Sequence, residues 1–186
     1  MKYVSIDIET TGLDPATCQI LEFGAVLDLC DGRPVHEQPT FHRYILNHRI
    51  TGDPKALAMN AEIIRRIANL DPKYKFCAAG DLCEEFYRWL QMYGLLIYPS
   101  DKIVAAGKNF ASFDLQFLKA LPNWDIPIHH RCIDPGSLYF LPYQDAEVPS
   151  TKTCMERAGI EGEVAHTAVE DARVVLQLIR ACPRHR

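Results

Sequence analysis

The chain of 186 residues is long enough for one domain with a hydrophobic core and too short for two ordinary domains. We therefore expect a single domain over residues 1–186. Its composition, 48% hydrophobic and 24% charged, is typical of a globular protein. The formal net charge of −4 argues against a protein that wraps a long duplex through phosphate contacts.

The seven cysteines are odd in number and include no Cys-x-x-Cys pair, which argues against a disulfide framework or a zinc site and favours a reducing compartment. The N-terminus lacks the apolar core of a signal peptide, and no apolar run approaches the roughly 18 residues that a membrane span needs. The sequence therefore predicts a cytoplasmic protein with no membrane partner.

In chain order, the predicted elements begin with three strands linked by turns. Apolar and polar residues alternate over residues 4–9, a Gly-Pro turn follows at 10–15, and a second strand is expected at 19–29. Asp31-Gly32 is a strong hairpin signal before a third strand at 34–46.

From Asp53 onwards the spacing of apolar residues becomes that of helices. Two short strands, at 103–106 and 128–133, alternate with these helices, and residues 142–149 form an irregular acidic loop. This order predicts an α/β fold with a mixed central sheet, three antiparallel N-terminal strands plus parallel strands, and helices on both faces. The predicted helices lie at 53–67, 81–93, 112–121, 134–139, 150–158 and 167–182.

Two carboxylates share one face of the first strand. Asp7 and Glu9 alternate with Ile6 and Ile8, so both acids leave the face opposite to the isoleucines. Such a pair repels itself, and it is tolerated where it is solvated, protonated or bound to a cation. A wet sheet face is the alternative explanation.

Two further aspartates occupy positions where a buried helix face begins. Asp114 heads an apolar stripe that continues at Phe117, although an acid in a first helical turn can also simply stabilise the helix dipole. Asp171 heads the stripe that continues at Val175, and Thr167 is the better N-cap of that helix. A metal-binding or catalytic use is therefore favoured for Asp171.

His166 precedes the last helix and cannot share a helical face with Asp171, because five residues span about 500° of an ideal helix. From a loop, its imidazole could reach a site that Asp171 also faces. A free pKa near neutrality would let it take a proton from water. A merely structural or exposed histidine is the alternative.

Four acids on inward faces and one loop histidine together predict a two-metal phosphoryl-transfer site. Such a site holds two cations about 3.5–4 Å apart between bridging carboxylates. Magnesium suits a shell made of oxygen atoms, and manganese is the expected substitute. Bound cations would also turn the local field positive, so that a few nucleotides at a chain end could be held.

Three segments resemble the exonuclease motifs of the DEDDh family, the DnaQ-like group that includes polymerase proofreading subunits and RNase T. They are Asp-Ile-Glu-Thr-Thr-Gly at 7–12, Asn-Phe-Ala-Ser-Phe-Asp-Leu-Gln-Phe at 109–117 and His-Thr-Ala-Val-Glu-Asp-Ala at 166–172. The resemblance implies an RNase H-like fold and removal of nucleoside 5′-monophosphates from the 3′ end of single-stranded DNA or RNA. It also implies specific roles for five residues: Asp7, Glu9, Asp114 and Asp171 as ligands of two Mg²⁺ ions, which Mn²⁺ could replace, and His166 as the general base.

The same resemblance implies a pocket for the terminal nucleotides. Backbone groups of the turn after the first strand would bind the 3′-OH, one leucine would pack on the base, and one aromatic ring would stack on the penultimate base. The implied pocket residues are Thr10, Thr11, Gly12, Leu13, Met59, Asn60 and Phe110.

Two features indicate which subgroups of the DEDDh family the chain does not resemble. Oligoribonucleases usually carry Met where this chain has Thr10, and only fifteen residues follow Asp171, too few for the tail with which a proofreading subunit grips its polymerase. We therefore expect a free-standing nuclease, monomeric or homodimeric, with no stable polymerase attachment. Two alternatives stay open: a catalytically silent protein that binds nucleic-acid ends, and an RNase H-like endonuclease.

Overall fold

The computed structural model describes residues 1–162 and 167–182. Within them, five strands form one mixed sheet in the order β4-β3-β2-β1-β5. The pairs β1–β2 and β2–β3 are antiparallel, whereas β1–β5 and β3–β4 are parallel, which confirms the predicted mixed sheet. The strands are β1 (Tyr3–Thr10), β2 (Ile20–Asp28), β3 (Thr40–Leu46), β4 (Phe76–Ala78) and β5 (Ala105–Ala106).

Seven α-helices are found in the part of the chain that the structure describes, and they cover both faces of the sheet. No helix there is both long enough and apolar enough to cross a membrane. The helices are α1 (Pro54–Met59), α2 (Ala61–Asn69), α3 (Leu82–Met92), α4 (Asp114–Ala120), α5 (Pro135–Leu138), α6 (Thr151–Ala158) and α7 (Ala168–Ala181).

The two faces of β1 differ in chemistry because side chains alternate along a strand. Val4, Ile6 and Ile8 lie in the largest hydrophobic cluster, which α3 and α4 complete with residues such as Phe86 and Phe117. The opposite face carries Ser5, Asp7 and Glu9 and lies under α7, whose apolar stripe packs against Val26 and Ala106. The acids of β1 therefore face α7, and the isoleucines face the aromatic core.

Several predicted elements differ from the observed ones, and the strand predicted at 103–106 is shorter, as β5. The third strand begins at Thr40 rather than Pro34, because residues 35–37 form a 3₁₀ turn after a proline that has no N–H to pair. The helix predicted over 53–67 is split at Asn60 into α1 and α2. The helix predicted at 112–121 is α4, and it begins at Asp114 rather than Ser112. Residues 109–113 instead form turns, in which backbone N–H groups donate hydrogen bonds to the Asn109 carbonyl.

The segment 128–133 is not a continuous strand. It makes two bridges, Ile128 with Ile103 and Ile133 with Ala106. Five steps of chain therefore lie opposite three, and the extra residues interrupt the pairing. β4 was not predicted, since three residues give too little alternation to register as a strand.

Candidate active site

The first part of the site is the end of β1. In the ladder between β1 and β2, Asp7 lies opposite Gly24 and Glu9 lies opposite Glu22. Residues that face each other across an antiparallel pair point to the same side. The two acids of β1 and Glu22 therefore share the face that α7 covers.

Gly24 brings α7 onto this face. A Cβ built on Gly24 would lie 2.4 Å from the carbonyl carbon of Ala168 and 2.5 Å from the amide nitrogen of Val169. The first turn of α7 therefore rests on the backbone of β2, an approach that only a residue without a side chain permits. Asp171 lies in this first turn, directly beside the acids of β1.

Three carboxylates meet at this point. One oxygen each of Asp7, Glu9 and Asp171 lies within 4.8 Å of the others, and all three residues are half-buried. We call these three residues the acid triad. It joins residues 164 positions apart in sequence, and it brings together three of the four predicted metal ligands.

Asp114 contacts β1 at the edge where β5 pairs with it. Because β5 pairs only with Val4 and Ser5, the N–H of Ile8 lies beyond the end of β5. The Asp114 Oδ1 accepts a hydrogen bond from this N–H at 3.1 Å, and the side chain is buried, with 3% exposed. Asp114 is not among the three acids that lie within 4.8 Å of one another.

Burial and mutual repulsion raise the pKa values of these acids. Burial is the largest cause for Asp7, whose pKa is well above its ordinary value, and the charges of Asp114, Asp171, Glu9 and Glu22 add to the increase. Burial, followed by the charges of Asp171 and Glu22, raises the pKa of Glu9 to about 7. The cluster therefore holds more negative charge than its surroundings neutralise.

The pKa of Asp114 is raised by the same combination. Burial is again the largest cause, and the charge of Glu9 adds to it, whereas hydrogen bonds from backbone N–H groups, including that of Ile8, act in the opposite direction. A divalent cation among these oxygen atoms would remove the repulsion, and carboxylate oxygens are the ligands that hard cations prefer. The residues present thus fit a divalent metal.

A cavity of about 880 Å³ opens next to the acid triad. Glu9 lies in its wall, which links the cavity directly to the cluster of acids. Leu13 and Met59 also line it, and both are largely exposed, at 84% and 66%. Large apolar side chains open to solvent at the mouth of a cavity are typical of a binding site.

The turn after β1 forms one wall of this cavity, through Thr10, Gly12 and Leu13. The Thr10 hydroxyl donates a hydrogen bond to the Gly12 carbonyl at 2.7 Å, which fixes the turn. Thr11 does not line the cavity: it is fully buried, and its Oγ1 accepts a hydrogen bond from the Gln19 N–H at 2.8 Å. The Thr11 side chain therefore holds the start of β2, and the contact of backbone groups of this turn with a nucleotide stays a prediction.

Asn60 connects the cavity to the acids. It lines the cavity but is 7% exposed, and its Nδ2 donates a hydrogen bond to the Thr10 carbonyl at 2.9 Å. The same side chain lowers the pKa of Glu9 through a hydrogen bond to its carboxylate. Asn60 therefore holds the end of β1 in place at the break between α1 and α2.

The prediction that the Phe110 ring stacks on the penultimate base is wrong. Its ring is 1% exposed within the main hydrophobic cluster, so it is not available to stack on a base. Phe113 lines the cavity instead and packs against Phe117 at 5.2 Å between ring centroids. Its place directly before Asp114 was the signal in the sequence that could have identified it.

The fifth predicted catalytic residue, His166, lies outside the described residues. Thr167, which follows it, is the N-cap of α7.

The comparisons with known proteins agree with this architecture. A family model described as RNase_T, Exonuclease, matches residues 4–179. The chain belongs to this exonuclease family. No curated protein sequence matches the chain.

Solved structures of nucleases share the fold of this chain. The nuclease domain of 3′hExo, a DEDDh family member bound to rAMP, is 16% identical with a TM-score of 0.65, covering 97% of this chain and 93% of that one. Cell-death related nuclease 4 (CRN-4) is 15% identical with a TM-score of 0.65, covering 96% of this chain and 62% of that one. These likenesses identify the RNase H-like exonuclease fold.

The zinc-bound E. coli exonuclease I complex with single-stranded DNA is 15% identical, with a TM-score of 0.65. The match covers all of this chain and 40% of exonuclease I, so this chain spans less than half the length of that protein.

Proposed function

We propose that this family member is a metal-dependent 3′-to-5′ exonuclease that removes nucleoside 5′-monophosphates from single-stranded DNA or RNA. The observation that carries the proposal is the position of the acid triad, whose oxygen atoms lie within 4.8 Å of one another beside a cavity of about 880 Å³. A metal site open to a cavity of this size can receive the end of a polynucleotide strand.

The acid triad would hold the metal, together with Asp114, which lies at the edge of β1 beyond the end of β5. Two Mg²⁺ ions, or Mn²⁺ in their place, suit a shell of carboxylate oxygens. When bound, such ions polarise a phosphodiester and stabilise both the attacking and the leaving oxygen of an in-line displacement. Asn60 would keep Glu9 in its ligating position, since its amide bonds to the carboxylate and to the Thr10 carbonyl.

His166 would act as the general base toward the attacking water. Its position directly before Thr167, the N-cap of α7, supports this role, because Asp171 lies in the first turn of the same helix. A general base must lie close to the water whose proton it takes. The start of α7 rests on the face of β2 beside the acid triad, so a residue just before this helix is near the proposed metal site in sequence.

The cavity would bind the terminal nucleotides. Leu13, Met59 and Phe113 offer apolar surface on which bases can pack, and Lys55 brings a positive charge suited to phosphate. Support comes from the two structures that share this fold, one bound to rAMP and the other to single-stranded DNA.

The experiment that tests the function is a time course on 5′-labelled single-stranded DNA and RNA of the same sequence, with Mg²⁺, with Mn²⁺ and with chelator. We expect a ladder that shortens from the 3′ end only when metal is present. The Asp171→Asn variant, folded by circular dichroism, serves as the inactive control. Absence of shortening in the folded wild type would favour the silent end-binding protein, and cleavage of a closed single-stranded circle would favour the endonuclease.

A further inference from the structure

Glu22 is a carboxylate on the acid face that the proposed mechanism has not used. It lies opposite Glu9 in the ladder between β1 and β2, so both side chains leave the same face of the sheet. Only 2% of Glu22 is exposed. A carboxylate is almost never buried to this extent unless its charge is paired or its oxygen atoms are hydrogen-bonded.

The two oxygens of Glu22 have different surroundings. His42, on the neighbouring strand β3, places its Nε2 2.7 Å from the Oε1, close enough to donate a hydrogen bond to the carboxylate. The Oε2 is buried and has no hydrogen-bond partner among the described residues. A buried acceptor without a donor is unfavourable, so an acceptor of this kind indicates a donor that is bound from solution.

The position of Glu22 indicates where that donor lies. Glu22 lies directly opposite Glu9 of the acid triad in the ladder, on the same face, and its charge also contributes to the raised pKa of Glu9 and of Asp7. His42 lies opposite Gly24, which itself lies opposite Asp7. The histidine therefore lies on the strand on the other side of β2 from β1, and it engages only the Oε1 of Glu22.

We propose that Glu22 is a positioning residue of the cation site. Its Oε2 accepts a hydrogen bond from a water in the hydration shell of the cation held by the acid triad, while His42 fixes the other oxygen. This inference rests on the proposed function, because it requires a cation at the triad. Magnesium keeps several waters when it binds to a protein, and groups that orient such waters and ligands tune the affinity of the metal.

The first test is Mn²⁺ binding to the full chain without nucleic acid, measured by isothermal titration calorimetry on the wild type and Glu22→Gln. Glutamine keeps the shape of the side chain and the acceptor for His42, but it replaces the second acceptor with an N–H₂ donor. We expect the affinity for Mn²⁺ to fall about tenfold. Glu156→Gln, which removes one charge from an exposed position on α6, should leave the affinity unchanged.

The outcomes separate this inference from the proposed function. If the wild type binds Mn²⁺ and Glu22→Gln binds it equally well, the role of Glu22 is overturned while the cation site stands. If the folded wild type binds no Mn²⁺, the cation site itself is refuted, and the inference is refuted with it.

A second pair of variants covers the case in which Glu22→Gln fails to fold. His42→Ala removes the donor to the Oε1, so Glu22 loses its anchor and Mn²⁺ affinity should fall, whereas His42→Gln keeps an N–H donor and should restore most of it. Equal affinity in both histidine variants and the wild type would contradict the inference. In kinetics, we expect Glu22→Gln to need more Mn²⁺ for half-maximal turnover, with an unchanged KM for the oligonucleotide at saturating metal.

Discussion

An added Cβ at Gly24 would lie 2.4 Å from the carbonyl carbon of Ala168, which means that helix α7 begins in direct contact with the backbone of β2. Asp171 stands three residues further along this helix and belongs to the acid triad. The spacing between the helix and the sheet therefore sets the distance from Asp171 to Asp7.

The first prediction concerns this contact. Gly24→Ala should lower turnover at least about tenfold and destabilise the fold by about 1–3 kcal/mol, since the new methyl group meets backbone atoms that cannot rotate away. Activity and urea denaturation measure the two effects. Gly80→Ala is the matched control, because a Cβ there would have its nearest neighbour at 4.0 Å. A Gly24→Ala variant with wild-type activity would mean that the start of α7 can move without disturbing the site.

The second prediction separates activity from stability at Asp7. Asp7→Asn removes a charge from a cluster in which like charges raise one another's pKa, so the metal-free protein should become more stable, by about 1 kcal/mol, while it loses most of its turnover. Calorimetric unfolding in chelator and the oligonucleotide assay measure the two changes. Full turnover in Asp7→Asn would remove Asp7 from the proposed metal ligands.

The third prediction is a dependence of stability on pH. The pKa of Glu9 is about 7 in the folded chain against an ordinary 4.5, so folding favours its protonated form. The resulting stabilisation is fully present below about pH 4.5 and is lost as the pH rises through about 7, a change of about 3 kcal/mol. In chelator, urea unfolding should therefore show lower stability at about pH 8 than at about pH 5.

Glu9→Gln is the control for this pH dependence. It should reduce the loss of stability between the two pH values, and Mn²⁺ at about pH 8 should restore stability to the wild type but much less to the variant. An equal loss of stability in both proteins would contradict the raised pKa of Glu9.

The fourth prediction concerns substrate binding. Leu13→Ala should raise the KM for a single-stranded oligonucleotide about tenfold with little change in stability, because the side chain is 84% exposed yet lines the cavity. Met92→Ala, which truncates a side chain that is 78% exposed on α3 and does not line the cavity, is the control. An unchanged KM in Leu13→Ala would place the nucleotide elsewhere.

The acids could be predicted from the sequence because their signal is local. Asp7 and Glu9 stand out through alternation in one strand, and Asp171 stands out because it heads an apolar helical stripe. Their meeting point depends on Gly24, whose role becomes visible only when a distant helix packs against it. Sequence periodicity contains no information about that contact.

The pocket residues were harder to predict because an aromatic or polar residue has the same local pattern in a core and in a cavity wall. Phe110 and Phe113 belong to the same motif, yet Phe110 lies in the core and Phe113 in the cavity wall. Glu22 sits in a run of apolar residues that reads as a buried strand, and its link to His42 arises only when β2 and β3 pair.

The division of β1 into an acidic and an apolar face has a consequence for how this segment can vary in length. One residue inserted between Val4 and Ile6 would exchange the two faces beyond the insertion, turning both acids toward the aromatic core and both isoleucines toward α7. A change of one residue in length therefore removes the proposed metal ligands and the core contacts together, whereas a substitution alters one side chain and leaves both faces in register.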